Sequence, residues 1–296
     1  MTYLLTQLAN GLSLGLILGL IAVGFVIVFT STGVLNFAHG SVLLAGVYLV
    51  AVLHESLGFW FAALVGILGA ALLAVLINAV LVRNLAESNP GTAAILMLGV
   101  DILLLTELTR RIGSDVKPLG APWGADVVSV GGVTLPWSRA IAAAVALVVF
   151  GLLWYLFART SAGVAMRAAA ADGDTAALMG IRLSRTGAAG WALAGALAAV
   201  AGIFLASFPA PGVTPTLAVS AFAAIPAWVL GGFDSVVGAI VGGLVIGVVT
   251  ALAVGYESEL HFLGRGLGEV VPYAVMILVL LVRPSGLFGG KEAVRV

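Results

Sequence analysis

Asn36 and His39 lie in the segment Asn36-Phe37-Ala38-His39-Gly40, between two long apolar runs. An amide and an imidazole offer hydrogen-bond donors and acceptors, and such groups rarely stay unpaired in lipid. One chemistry they suit is contact with a zwitterionic amino acid. The plainer one is structural, with the two side chains tying together a break between spans. Gly33 and Gly40 bracket them and permit an unwound or tightly packed backbone. A lone histidine without partners at ligand spacing does not make a metal site. Cysteine is absent, which removes thiolate metal sites and disulfides. Asp101 is the third candidate, set in ILMLGVDILLLTEL, where a bare carboxylate inside a span is costly. It either faces a polar path and pairs an ammonium group, or pairs a basic residue of a neighbouring helix such as Arg139. Asn36, Phe37, His39 and Asp101 are therefore the candidate pathway residues.

A second group of residues offers docking chemistry. The stretch Arg159–Arg185 carries four Arg and two Asp around an Ala-rich centre and leaves through Gly180-Ile181. Ala165, Ala168, Ala169, Ala170, Ala171, Ala176 and Ala177 are strong helix formers with little bulk, so such a helix can seat closely in a groove. Met166 and Leu178 are its expected apolar knobs, with Arg167, Asp172 and Asp174 as polar anchors. Gly173 is expected to break or kink the helix midway. The bland alternative is a solvated connector between two spans.

The elements that must position these residues are membrane spans. The chain is 62% hydrophobic and 9% charged, with mean hydropathy +1.21, and no Asp, Glu, Lys or Arg precedes Glu55. Crossing a bilayer core of about 30 Å takes roughly 20 apolar residues, and several such runs follow one another. A cleaved leader with a soluble remainder is thereby excluded, and continuous runs argue against a barrel. The expected fold is an all-α polytopic membrane protein of about eight or nine helices, in one transmembrane domain over 1–296. Spans are placed near 8–30, 39–54, 58–82, 92–109, 139–158, 188–208, 217–231, 236–254 and 268–283. The second and the seventh look short or broken, and Pro226 lies inside the seventh. Broken helices survive in lipid only when buried in protein or lining a cavity.

If all these spans cross, Arg83, Arg159, Arg167, Arg182, Arg185, Arg283, Lys291 and Arg295 share one side. Arg110, Arg111, Lys117, Arg139 and Arg265 share the other. The bias places the loop 159–187 and the C-terminal tail in the cytoplasm, with the N-terminus and an outer loop 110–138 outside. Net charge is zero, which argues against nucleic-acid binding. No Gly-rich phosphate loop ending in Lys-Ser or Lys-Thr occurs. Gly11, Gly15 and Gly19, and Gly238, Gly242 and Gly247, form small-residue faces whose first expectation is packing within the chain. Asp234 reads as a turn residue or helix cap, and Glu107 as a carboxylate snorkelling near a span end. The group Glu257, Glu259 and His261 reads as a solvated outer loop.

Four segments, in order, resemble the permeases of branched-chain amino-acid ABC importers. They are GLILGLIAVGFVIVFTSTGVLNFAHGSVLLAGVYL, MRAAAADGDTAALMGIRLSRTGAAGWALAGALAAVAG, VLGGFDSVVGAIVGGLVIGVV and RPSGLFG. The likeness is to the LivH-type subunit, and Asp101 departs from the small or neutral residue more usual there. The resemblance implies a transport subunit that is not an enzyme and binds no cofactor, with ATP and Mg held by partner chains. Those partners would be a second, LivM-like permease, two cytoplasmic ATP-binding subunits and an extracytoplasmic binding protein, in a bacterial inner membrane. It also implies that Arg167, Ala169, Asp172, Ala176, Gly180 and Ile181 contact the ATPase as a coupling helix. Relatives carry urea, short amides or other amino acids, so those cargoes remain alternatives to branched-chain amino acids. An ion-coupled secondary transporter would normally show carboxylates in several spans, and Asp101 is nearly alone. A membrane-embedded enzyme would need convergent catalytic groups, which the sparse polar residues do not offer.

Overall fold

A computed structural model of the chain describes residues 2–83, 90–124, 126–130, 132–208, 211–259 and 265–289. Helix α1 (Thr2–Thr32) is uninterrupted because its sequence holds no proline and its apolar side chains run all round it. Gly33 stops it in the left-handed region at φ 67°, while its N–H bonds the Phe29 carbonyl at 2.7 Å. An extended segment then leads to α2 (His39–Leu57) and α3 (Phe59–Ile77), which runs on as a π-helical turn over Asn78–Val82. Next come α4 (Pro90–Ile112), a hairpin of β1 (Val127–Val130) and β2 (Val133–Pro136), and α5 (Trp137–Arg159). The hairpin is antiparallel, with Val127 opposite Pro136 and Val130 opposite Val133. Two short helices follow, α6 (Ser161–Ala171) and α7 (Gly173–Leu178), and then α8 (Leu183–Leu205). The chain finishes with α9 (Thr216–Ser220), a 3-10 turn over Ala221–Ala224, α10 (Ile225–Gly231), α11 (Val236–Gly255) and α12 (Leu267–Val282).

Seven of these helices are long and apolar enough to span a bilayer, and Thr216–Gly231 and Leu267–Val282 are shorter apolar segments. The molecule is an all-α polytopic membrane protein apart from the small hairpin. At the hairpin end, the Tyr3 hydroxyl bonds the Gly255 carbonyl, Trp123 stacks on Phe204, and Lys117 pairs with Val213. At the opposite, basic end, Thr32, Arg83, Ala169, Ser184 and Asp234 surround one cavity. The segment 211–231 thus runs from the hairpin end to the basic end. Pro226 falls in the first turn of α10, where its missing N–H has no helical partner to lose, so it starts a helix and does not break one.

Glycines set how closely the helices approach. A Cβ on Gly15 would lie 2.7 Å from the Gly243 oxygen and from the Leu244 Cα, so α1 and α11 meet backbone to backbone. Gly238 and Gly242 turn the other way, against Gly231 and Ala227 of α10. The small-residue faces therefore pack within the chain, as the spacing led us to expect. In lipid, where apolar burial between helices gains little, such close contact supplies the attraction. Neither the hairpin in the 110–138 loop nor the π-helical turn was legible in the residue pattern. Asp234 is a turn residue and not a cap: the α11 cap is Ser235, whose Oγ accepts from Gly238 N at 3.0 Å. His261, Lys291 and Arg295 lie outside the described residues; Glu257 accepts from the Gly266 N–H at 2.7 Å.

Candidate functional site

The first turn of α2 lies inside the molecule. The His39 ring packs on Phe25 of α1 with centroids 4.6 Å apart, and a Cβ on Gly24 would come within 2.7 Å of it. On another side Gly40 leaves no room for a Cβ against the Ala218 carbonyl of α9. The missing side chains at Gly24 and Gly40 let α2 begin close against α1 and α9, so its amino end, which carries partial positive charge, lies inside the protein. Asn36 is 3% exposed and His39 1% exposed. The Asn36 Oδ1 and both ring nitrogens of His39 have no hydrogen-bonding partner among the described residues. Each such group costs about 1–3 kcal/mol when left unsatisfied. Across the break the His39 backbone N–H bonds the Asn36 carbonyl at 3.3 Å, and neither side chain makes a hydrogen bond to a described residue. Phe37 is half-buried and packs against a buried cluster that includes Val34, Ala38 and Trp191.

Asp101 meets the same turn from a different direction. Ser41 Oγ donates to the Asp101 carboxylate and to the Asp101 carbonyl. Ser41 is fully buried, whereas Asp101 is half-exposed on α4, next to the exposed Ile102 and Leu103. Pairing with Arg139 is not observed. Arg139 Nη1 instead donates to the Asn10 carbonyl at 3.2 Å, and its guanidinium lies 4.5 Å over the Phe208 ring. Glu107 is held by Arg110 and Arg111 at 2.8 and 2.6 Å, near the end of α4. The pathway candidates thus gather at one turn but on two faces, His39 toward α1 and Ser41–Asp101 toward α4. The sequence reading missed Ser41 and Gly24. A serine two residues beyond His39 was the available signal.

At the basic end the stretch 159–185 folds as two short helices. Thr160 caps α6 by accepting from Gly163 N at 3.1 Å. Asp172 ends α6 and caps α7, accepting from Thr175 N at 3.0 Å and from its hydroxyl at 2.7 Å. The break therefore falls at Asp172, with Gly173 as the first residue of α7. Gly180 has φ 86°, its N–H bonds Ala177 O, and Ile181 N–H bonds Ala176 O. That pair of bonds is a Schellman exit, which explains the Gly-Ile dipeptide. Leu178 is 88% exposed and Met179 79% exposed, side by side at the tip. Arg167, Asp172 and Gly180 are exposed, and Ala169 and Ile181 half-buried. Ala176 and Met166 are buried against the chain itself, so Met166 is no surface knob, and Met179 takes that place.

Interrupted helices around a buried polar turn, in a bundle of apolar spans, define a multi-pass membrane protein with a polar break inside its bundle. The comparisons narrow the class. Residues 7–280 match the family model for the permease component of branched-chain amino acid transport systems, and the chain belongs to that family. It is 32% identical to the high-affinity branched-chain amino acid transport system permease protein LivH of Salmonella typhimurium, covering 99% of this chain and 98% of LivH. BraD of Pseudomonas aeruginosa, described in the same words, is 31% identical over 99% of this chain and 98% of its own. A probable LivH from Methanocaldococcus jannaschii is 28% identical, over 92% and 89%.

Proposed function

We propose that this chain is the LivH-type permease of an ATP-binding-cassette importer that takes branched-chain amino acids across the inner membrane. A second, LivM-like permease completes the path, a binding protein delivers cargo from outside, and two cytoplasmic ATPases supply the energy. The observation that carries this reading is the α6–α7 element. It is a capped, rigid corner that presents Leu178 and Met179 bare at its tip. Large apolar side chains exposed together beyond the spans suit a protein groove. Arg167, Asp172 and Gly180 flank the tip and would frame the ATPase contact, while Ala176 acts from below by packing the corner. The basic end is then cytoplasmic, and the N-terminus lies outside.

The α2 turn is the proposed substrate contact. On the α4 face of that turn Asp101 would take the ammonium group, and the partial positive charge at the amino end of α2 favours the carboxylate. Co-purification tests the assembly. A tagged chain expressed with its neighbouring transport genes should bring down ATP-binding subunits and a second permease. Purification without any ATPase would overturn the reading. Uptake of labelled leucine, urea and acetamide by the same membranes separates the cargo classes.

A further inference from the structure

The basic end holds a cavity of about 500 Å³, within the size range of small-molecule sites. It lies between the end of α1, the π-helical turn after α3, the start of α8 and the turn at Asp234, and Ala169 and Gly173 of α6–α7 line it too. It shares no lining residue with the α2 turn. Arg83 and Asp234 put opposite charges on its wall, and neither belongs to an ion pair among the described residues. Asn78, 4% exposed, lines it from the π-helical turn; its backbone N–H bonds the Ala74 and Val75 carbonyls, while its side-chain amide makes no hydrogen bond to a described residue. π-helical turns recur at functional sites, since the extra residue in the turn re-aims side chains. Phe29, Val82 and Leu183 give it an apolar wall.

We infer that this cavity binds a free zwitterionic amino acid with an apolar side chain, from the side on which α6–α7 lies. Arg83 takes the carboxylate and Asp234 the ammonium group, and the amide of Asn78 bonds the carboxylate from within. The aliphatic side chain lies on Phe29, Val82 and Leu183. Two unpaired charges of opposite sign match a zwitterion and disfavour a simple anion or cation, because either would leave one charge uncompensated. Because Ala169 and Gly173 close the cavity, an occupant bridges α6–α7 to the ends of α1 and α3. It therefore holds the coupling corner in the present arrangement, so internal amino acid slows uptake. This last step rests on the permease reading; the binding step does not.

The test uses the full chain in lipid nanodiscs, titrated calorimetrically with L-leucine, leucinol and 4-methylpentanoate. Trp191 donates to Thr32 on the cavity wall at 3.4 Å, so its fluorescence gives a second, local signal. Leucine should bind saturably, and both analogues should bind weaker by roughly tenfold or more, as loss of one charged contact predicts. Arg83→Gln and Asp234→Asn should each weaken leucine by a similar factor, with melting temperature and elution volume unchanged, while Asp101→Asn leaves this binding intact. No saturable binding, equal binding of either analogue, or binding that survives both substitutions once Asp101→Asn has silenced the α2 turn would overturn the site. Binding lost only in Asp101→Asn would assign the signal to the α2 turn and likewise overturn it. In vesicles of the assembled importer, preloaded leucine should slow uptake by the parent and not by Asp234→Asn. Equal slowing of both sinks the regulatory step, whatever the co-purification of ATPases shows.

Discussion

The Ser41 hydroxyl donates to the Asp101 carboxylate at 2.5 Å, joining the first turn of α2 to the middle of α4. A carboxylate has about four acceptor sites, so one hydroxyl leaves it able to take a further donor at its half-exposed side. Asp101→Asn should raise KM for amino-acid uptake roughly tenfold or more, the scale of one lost charged hydrogen bond. Co-purification and melting temperature should stay as in the parent chain. Normal uptake by Asp101→Asn removes Asp101 from the pathway.

His39 and Gly24 should be energetically coupled. Gly24→Ala drives a methyl into the imidazole, at a cost of about 1–3 kcal/mol of overpacking. His39→Ala should relieve that clash, so the double variant is more stable than the two single losses add up to. Thermal unfolding in detergent measures the cycle. Simple additivity would mean that α1 and α2 separate easily at this point.

His39→Leu isolates the imidazole from its volume. Replacing an unpaired buried polar ring by an apolar side chain should leave melting temperature unchanged or higher. Uptake should nevertheless fall if the ring serves the cargo. A variant less stable than the parent would show that the ring nitrogens are satisfied in the folded chain.

The α1–α11 contact predicts a sharp contrast between two glycines. Gly15→Ala meets backbone of Gly243 and Leu244 at 2.7 Å, and should cost about 1–3 kcal/mol. Gly151→Ala in α5 meets nothing within 4 Å and should be neutral or slightly stabilising, as helix propensity suggests. Melting temperatures of the two variants decide it, and equal values would mean that the helices are not in backbone contact.

Leu178→Asp with Met179→Asp should abolish ATPase capture without unfolding the permease, because both side chains touch solvent and not the core. Gly180→Val should weaken capture less directly, by straining a left-handed residue at about 1–2 kcal/mol. If the doubly charged tip still captures ATPase, the contact lies elsewhere.

Much of this fold is written locally. Apolar runs of bilayer length give the spans, Gly33 and Gly180 give the ends of α1 and α7, and Asp172 gives the break between α6 and α7. The hairpin over 127–136 was hidden because it is short and sits between charged loop residues. The buried state of Met166 and Ala176 was hidden because the stretch 159–185 shows no clear apolar stripe. Either face of α6 was available to the chain, and contact with the spans selected one.

The sequence alone determined that this is a multi-pass membrane protein. It also determined where its polar groups interrupt the spans, since hydropathy and backbone conformation depend on neighbours a few residues away. Only the tertiary structure decided that Asp101 meets Ser41 and not Arg139, that His39 is enclosed by α1 with no hydrogen-bonding partner among the described residues, and that Arg83, Asn78 and Asp234 share one cavity. Those relationships join residues far apart in the chain. They depend on which helix faces close, and here glycines in direct backbone contact set that choice.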